Sequence, residues 1–326
     1  MHYTALVVDE LENSFSASIK ELAVPEVQDG EVLIKVAYSS VNYKDALSFS
    51  GNKGVTRNYP HTPGIDAAGE VVKSNSTKVH EGDKVLVTGY DLGMNTNGGF
   101  GEYICVPADW VIKASNEVPL NEYMAWGTAG LTAALCIDKL LKSGLKPGGS
   151  VLVSGATGGV GSISIMLLSK LGYEVHALTS KDTSKAYLTD LGANEVHLLK
   201  DFIDDSKRPM LKPLYDAGID VAGGNILSTM LKVINYGGSI SCCGLVASPQ
   251  VNTSVFPFIL RDISLLGVDS VEIPLERKQE IWDKVSTDWR LPRLVDSYKE
   301  ISMQELIPTM TSMLEGKISG RFVLKY

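Results

Sequence analysis

One short run constrains this chain more than any other: Val151-Leu152-Val153-Ser154-Gly155-Ala156-Thr157-Gly158-Gly159-Val160-Gly161. Residues 150–154 are apolar and too few for a helix, so they read as a buried strand. Residues 159–171 follow with the composition of a helix, and residues 173–179 form a second apolar strand. Between the first strand and the helix stand Gly155, Gly158, Gly159 and Gly161. Residues without a Cβ let the chain turn tightly and bring backbone N–H groups against a pyrophosphate. The positive end of the helix dipole favours the same anion. In the order strand, glycine turn, helix, strand, the pattern reads as a dinucleotide site. Gly155, Thr157, Gly158, Gly159, Val160 and Gly161 are its candidate contacts.

The end of the second strand bears on which dinucleotide is bound. An NAD site places Asp or Glu there, about 20 residues beyond the turn, to hold the ribose 2′-hydroxyl. This chain has Thr179, Ser180 and Lys181 instead. Hydroxyls and a cation suit a 2′-phosphate, which a carboxylate would repel, so the expected cofactor is NADPH. Lys185 adds positive charge one helical turn on and Asp182 opposes it. The competing reading is that both lysines only solvate a loop. Lys200, after a third strand, is assigned to the adenosine end.

The texture along the chain changes near residue 121. Before it, short β-rich runs such as residues 32–36, 69–72 and 84–87 are broken by Gly, Pro and Asn. After it, strands at residues 219–221, 239–242 and 263–266 alternate with helices at residues 128–142 and 184–191. That alternation implies a parallel sheet with helical crossovers. A helix at residues 275–285 and a final strand at 320–325 follow, and pairing of that strand with the N-terminal β region would make the first domain discontinuous.

Composition narrows the function classes. Hydrophobic residues make up 44% and charged residues 21%, enough for a full core. The net charge of −8 opposes nucleic-acid binding, which needs clustered cations. No segment reaches the roughly 18 consecutive apolar residues of a membrane span, and the acidic start does not resemble a secretory signal. The four cysteines are too few for a disulfide scaffold in a chain of this length and read as reduced thiols. A cytoplasmic protein acting on a small molecule, with no nucleic-acid or membrane partner, is expected.

The stretches at residues 127–133, 155–161 and 236–238 together resemble the medium-chain dehydrogenase/reductase superfamily. More narrowly, Val41-Asn42-Tyr43-Lys44-Asp45-Ala46-Leu47, Gly64-Ile65-Asp66-Ala67-Ala68-Gly69 and Pro257-Phe258-Ile259-Leu260-Arg261 resemble its YhdH/YhfP group. That group comprises quinone-oxidoreductase-like proteins and NADPH-dependent acrylyl-CoA reductases. The resemblance implies an α/β protein: a GroES-like, β-rich catalytic domain plus a Rossmann domain with a doubly wound parallel sheet. The catalytic domain would be residues 1–123 completed by 268–326, and the NADPH-binding domain residues 124–267. A cleft at their junction and a homodimer are implied as well.

Zinc-dependent members of the superfamily carry a His where this chain has Ile65 and a metal-binding Cys near Asn42 and Tyr43. Their four-cysteine lobe has no counterpart, since the only close pair is Cys242-Cys243, placed in a predicted buried strand. The five histidines (His2, His61, His80, His176, His197) show no pair at ligand spacing along the chain, and each is assigned a surface or packing role. No metal is therefore expected.

Without a metal to polarise an alcohol, the implied chemistry is hydride addition to the β-carbon of an electron-poor C=C. Charge then gathers on the carbonyl oxygen, and the α-carbon is protonated afterwards. Tyr43, Asn42 and Asp45 are the candidate catalytic residues. Tyr43 also faces the nicotinamide in this reading, with packing as its alternative; Asp45 is either a turn carboxylate or part of a polar relay. Leu245, Ile259 and Arg321 align with cofactor-lining positions of the group, and a surface salt bridge is the alternative for Arg321. The leading substrate is a short enoyl thioester such as acrylyl-CoA. A quinone reductase is the alternative, and a non-catalytic nucleotide-binding protein the second alternative.

Overall fold

The β-rich first third folds into short strands, several of them buried on both faces. β1 (His2–Glu10) and β2 (Phe15–Ala23) form an antiparallel hairpin; β3 (Glu31–Ser40) runs into a short helix α1 (Tyr43–Phe49). β4 (Asp66–Ser74), β5 (Lys84–Thr88), β6 (Tyr103–Pro107) and β7 (Ile112–Lys113) follow, then a long helix α2 (Leu120–Lys142). The computed structural model describes residues 1–12 and 14–326, with residues 295 and 296 described by their backbone alone.

Strands and helices then alternate: β8 (Ser150–Val153), α3 (Gly159–Lys170), β9 (Glu174–Thr179), α4 (Lys185–Asp190), β10 (Glu195–Leu198), α5 (Leu199–Phe202), β11 (Tyr215–Asp220), α6 (Gly224–Val233), β12 (Ile234–Cys242), α7 (Phe256–Arg261) and β13 (Ser264–Gly267). The chain closes with α8 (Leu275–Ser286), β14 (Tyr298–Ile301), α9 (Leu306–Leu314) and β15 (Arg321–Lys325). Two compact units result, Met1–Thr128 with Ser270–Tyr326, and Ala129–Asp269.

The first unit is built on a seven-stranded sheet, β14-β15-β3-β4-β5-β7 with β6 also paired to β3. β15 returns antiparallel to β3, Val323 opposite Ser40. Val32, Ile34 and Val36 alternate along β3 and bury one face against Val85, Val87, Ile104 and Val106. On a second cluster, Ala46 of α1 packs with Leu306 and Met310 of α9 and with Leu324 of β15. Each Val, Leu, Ile or Met side chain taken from water contributes about 1.5–3 kcal/mol.

The second unit is a six-stranded parallel sheet in the order β10-β9-β8-β11-β12-β13. Its central strands β8 and β11 are buried along most of their length, as expected when helices cover both faces. From β8 the order runs outward in both directions, so the carboxyl ends of β8 and β11 flank a topological switch point, where open α/β sheets bind ligands.

Two readings of local structure are corrected here. The helix expected from residue 128 begins at Leu120; Gly127, with φ +52° and ψ −161°, kinks it, and glycine at that point reads in sequence as a boundary. Cys243 lies beyond the end of β12, and both it and Cys242 are half-buried. All four cysteines are free. Among the described residues no helix is long and apolar enough to cross a membrane.

Candidate active site

Two polar centres carry the residues singled out above, one in each unit. In the second unit the glycine turn leaves β8 and enters α3. Gly155 adopts φ +57°, and a Cβ on Gly161 would lie 2.8 Å from the Ala156 Cα and closer still to the Gly155 carbonyl oxygen. Only a bare backbone fits there. Ala156 and Gly161 are buried, while Gly155, Thr157, Gly158, Gly159 and Val160 reach the surface. The first N–H groups of α3 are thus presented outward at the switch point, a cradle that fits a pyrophosphate.

The end of β9 continues this surface. Thr179 is buried, and its hydroxyl accepts the N–H of Lys181 at 3.1 Å, which shapes the turn. Ser180, Asp182, Leu198, Leu199, Lys200 and Ile203 line a cleft of about 410 Å³. Ser180 and Lys200 therefore meet in one place, together with the opposing charge of Asp182. Lys181 is half-buried beside it. Leu245 and Ile259 are 65% and 68% exposed, the first beyond β12 and the second on α7 with exposed Phe256 and Leu260, next to exposed Val255 before the helix.

Sequence reasoning did not single out Asp220, which is fully buried at the end of β11. It accepts the Ser154 hydroxyl at 2.7 Å and the N–H of Gly223 at 2.8 Å, tying β8 to the next turn. Burial pushes its carboxyl above the usual range, and the Ser154 and Gly223 bonds oppose that. A carboxylate between the apolar Ile219 and Val221 was the available signal.

In the first unit a buried charge network surrounds the start of α1. Asn42 precedes the helix, and its N–H donates to Asp45 Oδ2 at 2.7 Å. Asp45 Oδ1 accepts the N–H groups of Gly64 and Ile65 at 3.1 and 2.8 Å. Asp66, at the start of β4, accepts from Asn42 Nδ2 and the Thr128 N–H, each at 2.8 Å, and from the hydroxyls of Ser40 and Thr128. The Gly127 kink allows this: a Cβ there would fall 2.7 Å from Asp66 Oδ2 and from Arg321 Nη2.

Arg321 supplies the cation. It is only 4% exposed, which rules out the surface salt bridge. Its Nε donates to the Ala125 carbonyl at 3.0 Å and Nη1 to Asn42 Oδ1 at 3.1 Å and the Val41 carbonyl at 3.3 Å. The guanidinium is thus directed inward at protein acceptors. Burial lowers its pKa, against the favourable charges of Asp66 and Asp45.

The Asp45 carboxyl is strongly perturbed. Burial, and then the charge of Asp66, push its carboxyl up to about 7, although the N–H groups of Asn42 and Ile65 hold it back. It accepts backbone N–H groups at the start of α1 and at residues 64 and 65, the contacts of a turn carboxylate. Tyr43, the first residue of α1, is 42% exposed and is the member of this stretch open to a ligand. Asp66, Ser40 and Thr128 were not assigned roles from sequence; Asp66 in an apolar strand was the visible cue.

Two of the histidines meet in the fold although they are far apart in sequence. His176 Nδ1 and His197 Nε2 are 3.2 Å apart, 21 residues distant in sequence, because β9 and β10 are parallel neighbours. Spacing along the chain cannot reveal such a pair.

Two family models match this architecture: the alcohol dehydrogenase GroES-like domain over residues 28–116 and the zinc-binding dehydrogenase family over residues 159–287. The chain is 40% identical over 325 residues to the Bacillus subtilis protein named "Putative quinone oxidoreductase YhfP", covering 99% of this chain and 98% of that one. A crystal structure of B. subtilis yhfP with NAD bound matches with a TM-score of 0.96 over 100% of both chains. It is 37% identical to the acrylyl-CoA reductase AcuI of Ruegeria pomeroyi, over 99% of this chain and 98% of the relative. The yhdH oxidoreductase of Salmonella enterica, solved with NADP, is 36% identical, with a TM-score of 0.95 over 99% of each chain.

A parallel nucleotide-binding sheet joined to a GroES-like β unit defines a dehydrogenase/reductase architecture. The chain belongs to the medium-chain dehydrogenase/reductase superfamily, in the group that contains YhdH, YhfP and AcuI.

Proposed function

We propose that this protein is an NADPH-dependent reductase of activated C=C bonds, with a short enoyl thioester such as acrylyl-CoA as substrate. One observation carries the cofactor reading: the open glycine turn faces a strand end of Thr179, Ser180 and Lys181 where an NAD site would place a carboxylate. Near-full-length similarity to a protein named acrylyl-CoA reductase supports the substrate class. Bound NADPH supplies a hydride. The residues of this chain bind, orient and stabilise.

The N–H groups of Gly159 and Val160, at the start of α3, with the helix dipole hold the pyrophosphate. Ser180 and Lys181 take the 2′-phosphate, with Lys200 at the adenosine end. Tyr43 faces the nicotinamide and the substrate carbonyl, where its hydroxyl stabilises the negative charge that gathers on oxygen as the β-carbon is reduced. Asn42 is held by Asp66 and Arg321, and Asp45 is a positioning residue that fixes the first turn of α1. Leu245 and Ile259 would supply apolar walls. Ile65, buried where zinc-dependent members carry a His, supports a reaction without catalytic zinc; turnover should survive EDTA.

Exposed Val255, Phe256, Ile259 and Leu260 lie close in sequence to β13, an edge strand whose Leu265 is 38% exposed. Apolar surface and an unpaired edge favour a second copy of the chain as partner, so light scattering should give a homodimer.

A quinone reductase is the second reading, favoured by the name of the B. subtilis relative. NADPH oxidation with acrylyl-CoA and with a simple quinone, side by side, decides between them. The expected result is a kcat/KM for acrylyl-CoA of roughly 10⁴ M⁻¹s⁻¹ or more, well above the quinone. The reverse order assigns quinone reduction, and binding of NADPH with no turnover of either defeats both.

A further inference from the structure

At the outer edge of the parallel sheet, β10 places Glu195 opposite His176 and carries His197 two residues on. His176 Nδ1 lies 3.2 Å from His197 Nε2; Glu195 Oε2 lies 3.8 Å from the first and 3.5 Å from the second. These sides bracket the edge of about 3.3 Å that a tetrahedron with metal–ligand bonds of about 2.0–2.1 Å requires. Among the described residues this is the one group of three His, Cys, Asp or Glu side chains with ligand atoms so close together.

The surroundings of His176 are those of a ligand. Its other nitrogen, Nε2, is 3.2 Å from Glu174 Oε1. A proton on Nε2 donated to that carboxylate leaves Nδ1 with its lone pair toward the cluster, the arrangement that orients metal-bound histidines. His176 is 8% exposed, and the Tyr215 ring packs edge-on against it at 5.0 Å, which fixes its plane. The Glu195 side chain is 61% exposed and that of His197 31%, so the cluster opens to solvent. An ion has a way in and water a fourth position.

We propose that His176, His197 and Glu195 bind one divalent transition-metal ion of the zinc type. Two imidazoles and one carboxylate suit Zn²⁺ and its neighbours, not the all-oxygen shells of Mg²⁺ or Ca²⁺. On binding, His197 gives up its Nε2 proton and takes one at Nδ1, so that both imidazoles ligate as neutral bases. The ion pins the edge strand β10 to β9, the strand that ends in Thr179. Its role is structural, and the inference does not depend on the reductase reading.

The test uses the full chain, stripped with a chelator and dialysed against Zn²⁺. One equivalent should be retained and the unfolding temperature should rise. H197Q and E195Q, both at the open side, should weaken Zn²⁺ at least tenfold, and E174Q by about 10–100-fold, with NADPH binding unchanged in each. Co²⁺ should give a spectrum of nitrogen and oxygen ligation. No retained zinc, full retention in H197Q, or a thiolate charge-transfer band from Co²⁺ bound at the cysteines would each overturn the proposal.

Discussion

The two polar centres are built in opposite ways. In the parallel-sheet unit the polar groups lie on the surface: backbone N–H groups are laid open because glycines remove the side chains that would cover them. In the β-rich unit the charges are hidden. Asp45 and Asp66 are fully buried and Arg321 almost so, each held by hydrogen bonds within its own unit. An open centre binds a ligand through itself. A buried one acts through whatever it holds in place, here Asn42 and the first turn of α1 that presents Tyr43. The buried centre should therefore fail by loss of stability, and the open one by loss of affinity.

The largest effect should come from Arg321→Met. Removing one partner from a buried charge network typically costs about 3–5 kcal/mol, which urea unfolding would register as a lower midpoint. A loss below about 1 kcal/mol would mean that the network is not what holds this unit together.

Asp45 allows a pH test of the same centre. Its folded pKa of about 7 stands above the unfolded value of about 3.9. The folded state then binds the proton more tightly, so this group's contribution is complete below the unfolded pKa. It declines as pH rises through the folded pKa and is flat above it. Unfolding free energy should fall by up to a few kcal/mol between about pH 4 and 7 relative to Asp45→Asn. Parallel pH profiles for the two proteins would contradict this.

At the open centre, Gly161→Val places a side chain against the Gly155 carbonyl and the Ala156 Cα. NADPH affinity should drop at least about 100-fold, or about 2.7 kcal/mol, in a fluorescence titration; unchanged affinity would remove the turn from the cofactor site. Lys181→Glu sharpens the assignment with a smaller effect. NADPH should weaken about tenfold or more while NADH changes little, and equal losses would show that no 2′-phosphate is read there. That comparison matters because one relative was crystallised with NAD and another with NADP.

The same contrast explains what the sequence disclosed. The glycine turn was legible because its logic is local: strand, turn and helix lie within about 20 residues, and the glycine spacing itself states the geometry. The buried network is assembled from Ser40, Asn42, Asp45, Asp66, Thr128 and Arg321, which no periodicity links. Arg321 was visible as a charge beside a glycine, but only the pairing of β15 with β3 takes it inside. The helix reading started at residue 128 because Gly127 looks like an end, whereas its positive φ bends the helix so that the Thr128 N–H turns to Asp66. His176 and His197 met for a related reason: strand register, invisible in spacing, made them neighbours.

The central claim is that the protein delivers hydride from NADPH to the β-carbon of an activated alkene. The most direct measurement uses NADPH deuterated at the transferring C4 position, with acrylyl-CoA and product analysis by NMR. The account predicts propionyl-CoA carrying one deuterium at its β-carbon. Deuterium at the α-carbon, or cofactor oxidation without propionyl-CoA, would contradict it.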